Sequence, residues 1–225
     1  MAKILGKPMI GHVYEKVLCC DMLTKTVVAT CDNEIFNYIE SIGGNVVMTS
    51  SQHDRASDRC SEALDYIEEL DKIIYDIVVM VQGDEPMTHP DMISEAISPM
   101  LTDPNILVTN LMAEISSIEE FEDKNCIKVV CDLEGNALYF SREPIPTRKF
   151  GEVSMSKQVC VIPFRREFLK RYINLDPTPL EIAESIDMMR IIEHGLKVKM
   201  IHTNYKTHSV DTEDDLKDVE ILMSK

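Results

Sequence analysis

Apolar positions follow two rhythms that alternate along the chain. Ile10, Val13, Val17 and Leu18 recur at helical spacing within residues 10–19. Residues 25–31 form a short β-branched run, and residues 33–42 again read as helix. Residues 45–49 predict a strand. Residues 57–70 predict a helix with Ala63, Leu64 and Ile67 on its apolar face. Residues 76–82 are almost wholly apolar, the pattern of a strand buried on both faces of a parallel sheet. Residues 90–98 predict a helix with Pro90 in its first turn. The second half changes character. Residues 127–131, 137–140 and 159–164 read as strands with little helix between them, followed by helices over 165–174 and 179–194 and a strand over 197–202.

This order predicts an α/β fold: an open, mostly parallel sheet with helices on both faces. No linker composition interrupts it, so one domain over residues 1–225 is expected, with a strand-rich arm at 132–162. Such arms often pair with a second copy, and a homodimer is the expectation. Ligands of such sheets sit beyond the carboxyl ends of the strands. In the helix over 179–194, Ile182, Ile186 and Met189 share a face. Glu181, Glu184 and Asp187 point elsewhere, by default into solvent, with a substrate contact as the minority reading.

The 225 residues carry 39 acidic and 23 basic side chains, a formal charge of −16. That field argues against a nucleic-acid or anionic-membrane partner, while a local basic pocket still permits an anionic small substrate. No apolar run reaches the length of a membrane span, and the first residues lack the pattern of a signal peptide. Seven cysteines without C-x-x-C spacing read as reduced thiols of a cytoplasmic protein.

The sharpest chemical feature is Val81-Gln82-Gly83-Asp84-Glu85-Pro86. A buried strand ends there, and Asp84 projects at the edge that faces ligand. A carboxylate in that place suits Mg²⁺, which bridges one or two carboxylates to substrate phosphates. It equally suits a turn in which Asp and Pro punctuate the chain. Asp211 follows a strand and opens a helical segment. An N-cap is its simpler role, although two carboxylates at strand ends are able to share one ion. His53-Asp54-Arg55-Ala56-Ser57-Asp58-Arg59 lies between a strand and a helix, a setting that favours phosphate, but Asp54 and Arg55 read more simply as a solvated loop. Lys7, in a Gly-Lys turn, is a weak signal, since the Walker pattern is missing.

Together these segments resemble the sugar-acid cytidylyltransferases, in particular the CMP-Kdo synthetase family. The resemblance rests on GKPMIGHVYEK (6–16), VVATCDNEI (27–35), GGNVVMTSSQHDRASDR (43–59), VVMVQGDEPM (78–87), IKVVCDLEGNALYFSREPIP (127–146), PTPLEIAESIDMMRIIEHGLKV (177–198) and VDTEDDL (210–216). It implies a nucleotide-diphospho-sugar transferase fold, commonly dimeric. The implied reaction joins CTP to a 3-deoxy-2-keto sugar acid and releases pyrophosphate. By position, Asp84 and Asp211 would hold Mg²⁺. Ala29, Thr30, Arg59 and Lys7 would lie near the nucleotide. Gln82, Lys128, Arg142, Gln158, Glu181 and Glu184 would serve the sugar. Other readings within reach are a nucleotidyltransferase for a different sugar acid and a non-catalytic remnant or partner subunit.

Two departures shape the expectations. The family opens with a strand and an Arg/Lys loop that grips the triphosphate, whereas this chain starts at MAKILGKPMI. Charge-assisted phosphate contacts contribute ~1.5–3 kcal/mol each. This chain is therefore expected to be weak or inactive, with a gap in its sheet, and an ordinary turnover with Mg²⁺ and CTP contradicts this. The second departure is in the sugar pocket, where Gln158 stands for a His and Met188 for a Gln. Both would face the sugar and alter the preferred acid.

Overall fold

The computed structural model describes residues 1–151 and 153–224. The first elements are β1 (Lys3–Ile4) and β2 (Lys7–Pro8), reversed at Leu5 and Gly6 with φ of 49° and 81°. There follow α1 (Met9–Leu18), β3 (Val28–Thr30), α2 (Asn33–Ser41), β4 (Val46–Met48), α3 (Ala56–Asp71), β5 (Ile77–Val81) and α4 (Pro90–Thr102). The middle of the chain holds β6 (Thr109–Glu114), α5 (Ile118–Glu122), β7 (Lys128–Cys131), β8 (Ala137–Ser141), β9 (Ser156–Val159) and β10 (Val161–Arg165). The last elements are α6 (Arg166–Tyr172), α7 (Pro179–Glu184), α8 (Asp187–Glu193), β11 (Lys199–His202) and α9 (Glu213–Met223).

The α/β class stands, but the sheet is mixed rather than mostly parallel. Only β3–β4 and β6–β11 are parallel ladders among the described residues. β5 pairs antiparallel with β10 from Ile77↔Arg165 to Val81↔Val161, and β6 pairs antiparallel with β9. The cause is the arm. The chain leaves along β7 and β8 and returns through β9 and β10, separated by Cys160 alone, running against both β5 and β6. A bridge from Val108 to Phe164 ties β10 to the start of β6. β3 bonds only to β4 and β5 only to β10 among the described residues, so the two do not pair. A cavity of about 900 Å³ lies between them, walled by Val28, Val79, Val13, Leu64 and their neighbours.

β6 has no counterpart in the periodicity reading. Thr109 and Asn110 open it and look polar, yet both are buried. The Thr109 hydroxyl donates to the Ala96 carbonyl at 2.7 Å, and the Asn110 amide donates to Val159 O at 2.7 Å. With their donors bonded, these groups are tolerated in the core.

The helix expected over 179–194 is broken. Ser185 takes a left-handed conformation (φ 55°, ψ 50°) between α7 and α8. The acidic face then turns inward. Glu181 is 0% exposed, while Ile182, assigned to the apolar face, is 64% exposed. Arg190 explains the inversion, because its Nε and Nη2 grip both Glu181 oxygens at 2.7 and 2.6 Å. The same carboxylate accepts the Thr178 N–H and completes a capping box. Apolar periodicity does not register such a pair, which makes a charged position inward-facing.

Two apolar clusters flank the sheet. One joins α3, α6 and α8 through Leu64, Phe168, Leu169, Tyr172 and Met188. The other packs α1 on α4 through Val13, Val17, Ile93 and Ile97. Breaking a buried ion pair leaves one charge uncompensated. Arg190→Met is expected to cost about 3–5 kcal/mol in urea unfolding. A loss below about 1 kcal/mol contradicts a scaffold role for Glu181 and Arg190.

Candidate functional site

The site begins where β5 ends. The Gln82 N–H donates to the Cys160 carbonyl at 3.2 Å, extending the β5–β10 ladder by one step. Gly83 follows closely against α1, where an added Cβ would lie 3.2 Å from the Ile10 side chain. Thr88 closes the turn, its N–H and hydroxyl both donating to Glu85 O at 3.1 and 2.8 Å. Asp84 and Glu85 are thereby held on a fixed backbone.

Both carboxylates are poorly satisfied. Asp84 Oδ1 and Glu85 Oε2 are buried and have no hydrogen-bond partner. Burial raises the Asp84 pKa, and nearby Asp211 adds to the rise. Burial, then Asp84, pushes Glu85 up to about 7. A buried carboxylate oxygen without a donor is costly unless a cation meets it.

Asp211 reaches the same place from the C-terminal segment. The Val210 N–H donates to the Asp84 carbonyl at 2.9 Å, which fixes the neighbouring Asp211 beside the end of β5. Asp211 is not the N-cap of α9. Thr212 takes that role, with Asp215 completing the box. Both Asp84 and Asp211 line a cavity of about 930 Å³.

The sequence-derived candidates divide by location. Gln82, Asp84, Arg142, Gln158 and Asp211 line this larger cavity. Ala29, Thr30 and Arg59 line the second cavity, between β3 and β5. Gln82 and Asp84 line both, so the two cavities meet at the end of β5. Arg59 is oriented by Thr49 Oγ1 at 2.5 Å.

Four candidates line neither cavity. Lys128 is fully buried, and its ammonium donates to the carbonyls of Asp123, Cys126 and Arg142. Glu181 is locked to Arg190. Glu184 accepts from Tyr139, Ser141 and the Arg142 N–H, so it shapes the Arg142 backbone. Lys7 pairs with Glu15 at 2.5 Å. Met188, expected to face the sugar, is 0% exposed in the core with Tyr172 and Leu169. Gln158 does face the cavity, and its amide donates to Asn110 at 2.5 Å.

The geometry also adds residues that the pattern does not single out. Arg55 is no solvated loop side chain. It spans to the α7–α8 junction, 3.3 Å from Asp187 and 3.6 Å from Glu181. Lys157 donates to Glu120 at 2.5 Å and to Thr207 O at 2.9 Å, tying the arm to the segment before Asp211. No apolar alternation over residues 156–159 marks Lys157, since Ser156, Lys157 and Gln158 are all polar. No local signal marks Arg55, because its partners lie 130 residues away.

Comparison with known proteins gives a consistent picture. A family model described as "Cytidylyltransferase" matches residues 1–201. The 3-deoxy-manno-octulosonate cytidylyltransferase of Geobacter metallireducens is 37% identical over 237 residues, covering 100% of this chain and 91% of the relative. A solved CMP:2-keto-3-deoxy-manno-octonic acid synthetase complexed with CTP superposes with a TM-score of 0.88 at 33% identity, over 99% of this chain and 90% of its own. A 4-diphosphocytidyl-2C-methyl-D-erythritol synthase from Anaerococcus prevotii shares the fold, with a TM-score of 0.66 at 12% identity over 99% of this chain and 88% of its own.

The Glu85 shift gives a pH signature. Its folded pKa of about 7 lies above the ordinary value of 4.5, so the fold disfavours the ionised form. Stability is lost as pH rises through that window. The melting temperature of metal-free protein is expected to fall between pH ~5 and ~7.5, and Glu85→Gln should flatten the curve. An equally steep fall in that variant contradicts the assignment.

Proposed function

Since the chain belongs to the cytidylyltransferase family, we propose that it transfers CMP from CTP to 3-deoxy-manno-octulosonate, giving the CMP-sugar and pyrophosphate. The observation that carries this reading is the meeting of two cavities at Asp84, with Asp211 alongside. One cavity is walled by apolar strand residues with Thr30 and Arg59, and it takes the nucleotide. The other has a mixed lining that includes Gln82, Arg142 and Gln158, and it takes the sugar acid.

The donor set fits Mg²⁺. The orphaned Asp84 oxygen and the adjacent Asp211 supply two hard oxygen ligands. Among the described residues no cluster of three or more metal-binding side chains exists, so Asp84 and Asp211 would hold the ion together with groups from the substrate. When bound there, Mg²⁺ neutralises charge on the phosphates and lowers the cost of the developing negative charge.

In the reaction the anomeric hydroxyl oxygen of the sugar forms a bond to the α-phosphorus. The bond from that phosphorus to the α–β bridging oxygen breaks, pyrophosphate leaves with the bonding pair, and the hydroxyl proton passes to solvent. The chain's own residues orient rather than react. Among the described residues the Arg142 guanidinium donates only to backbone carbonyls, of Glu184, Lys124 and Ser185. Its charge is therefore available to the sugar carboxylate. Gln82 and Gln158 offer amides to neutral oxygens.

The chain acts in the cytoplasm as a homodimer. All seven cysteines are free thiols, as a reducing compartment allows. Leu133, Leu138 and Phe150 project from the arm, which favours a second copy against it. No helix among the described residues is long and apolar enough to cross a membrane.

Pyrophosphate release is expected only when CTP, the sugar acid and Mg²⁺ are all present. Asp84→Asn and Asp211→Asn should each lower kcat by about a hundredfold or more. Release without the sugar acid, or variants within about threefold of the parent, contradict the reading.

A further inference from the structure

Arg55 lines the larger cavity with Gln82, Asp84, Arg142 and Gln158. It precedes α3 in extended conformation, and its side chain crosses to the junction of α7 and α8. Nη1 donates to Ser185 Oγ at 3.3 Å and lies 3.3 Å from Asp187 Oδ1. Nε lies 3.6 Å from Glu181 Oε1. Nη2 makes no hydrogen bond to a described residue. One edge of the guanidinium is thus pinned.

Arg142 converges on the same junction, with Nη2 3.5 Å from the Ser185 carbonyl. The two arginines flank Ser185 but differ in charge balance. Arg142 donates its guanidinium to neutral carbonyls and makes no ion pair among the described residues, although the Glu184 carboxylate, bonded to its backbone N–H, lies nearby. Arg55 is compensated by Asp187 and by Glu181, both largely buried. A compensated guanidinium attracts a second anion weakly and remains a strong donor to neutral oxygen.

We propose that Arg55 is a specificity-determining residue that binds the hydroxyl tail of the sugar acid, while Arg142 takes its carboxylate. The inference rests on the sugar-acid reading above. A polar site built around a substrate hydroxyl discriminates strongly against acids that lack it, because its donor is otherwise left unmet.

The test is calorimetric titration in Mg²⁺ with two probes, 3-deoxy-manno-octulosonate and the six-carbon 2-keto-3-deoxygluconate. They share the carboxylate end and differ in the tail. Arg55→Met is expected to weaken the eight-carbon acid at least about tenfold and the six-carbon acid less than about threefold. Arg55→Lys should recover part of the loss. Arg55→Met strands the buried Asp187, so Arg55→Met/Asp187→Asn supplies a charge-neutral control whose melting temperature should match the parent. An equal loss for both acids, or none for either, overturns the proposal. So does a loss confined to variants that melt earlier. Binding that depends on Arg55 without pyrophosphate release from CTP contradicts the transferase reading alone. A parent protein that binds neither acid overturns both.

Discussion

One backbone hydrogen bond, from the Val210 N–H to the Asp84 carbonyl, joins two parts of the chain 126 residues apart in numbering and fixes the geometry of the candidate site. It places Asp211 beside a carboxylate that is already short of partners. Asp84 stands at the end of β5, which is held by a five-residue ladder to β10 and by α3 on one face. Neither Asp84 nor Asp211 forms an ion pair with a cationic side chain among the described residues. The arrangement leaves concentrated negative charge that a divalent cation relieves.

The surroundings are built to keep that geometry. Lys157 links the arm to Thr207, four residues before Asp211. Lys128, buried under the site, directs all three ammonium donors at carbonyls and so braces the turn that carries Arg142. Glu184 receives the Arg142 N–H, and the Arg142 Nε donates to the Glu184 carbonyl. Lys128 and Glu184, both candidates for the sugar, brace the backbone around Arg142.

Much of this is legible in the sequence where apolar pattern decides. Residues 77–81 form a continuous apolar run, and β5 coincides with it. The Gln82–Asp84 turn at its end follows from the same run. What the pattern misses depends on paired polar groups. β6 hides behind Thr109 and Asn110, whose hydrogen bonds lie to α4 and β9. Glu181 reads as a solvated or substrate-facing acid, and Arg190 nine positions on draws it inside. Arg55 reads as loop because its partners come from a distant helix pair. Met188 reads as pocket, yet the break at Ser185 resets the helical phase and sends it to the core. Periodicity reports which side chains avoid water. It does not report which charges find each other.

The proposed chemistry turns on Asp84 and Asp211 acting as one cation site. Electron paramagnetic resonance of bound Mn²⁺, with CTP present, tests this most directly. One ion per chain in the parent protein, weakened at least about tenfold in both Asp84→Asn and Asp211→Asn, is the predicted result. Equal Mn²⁺ affinity in the parent and the Asp211→Asn variant would contradict it.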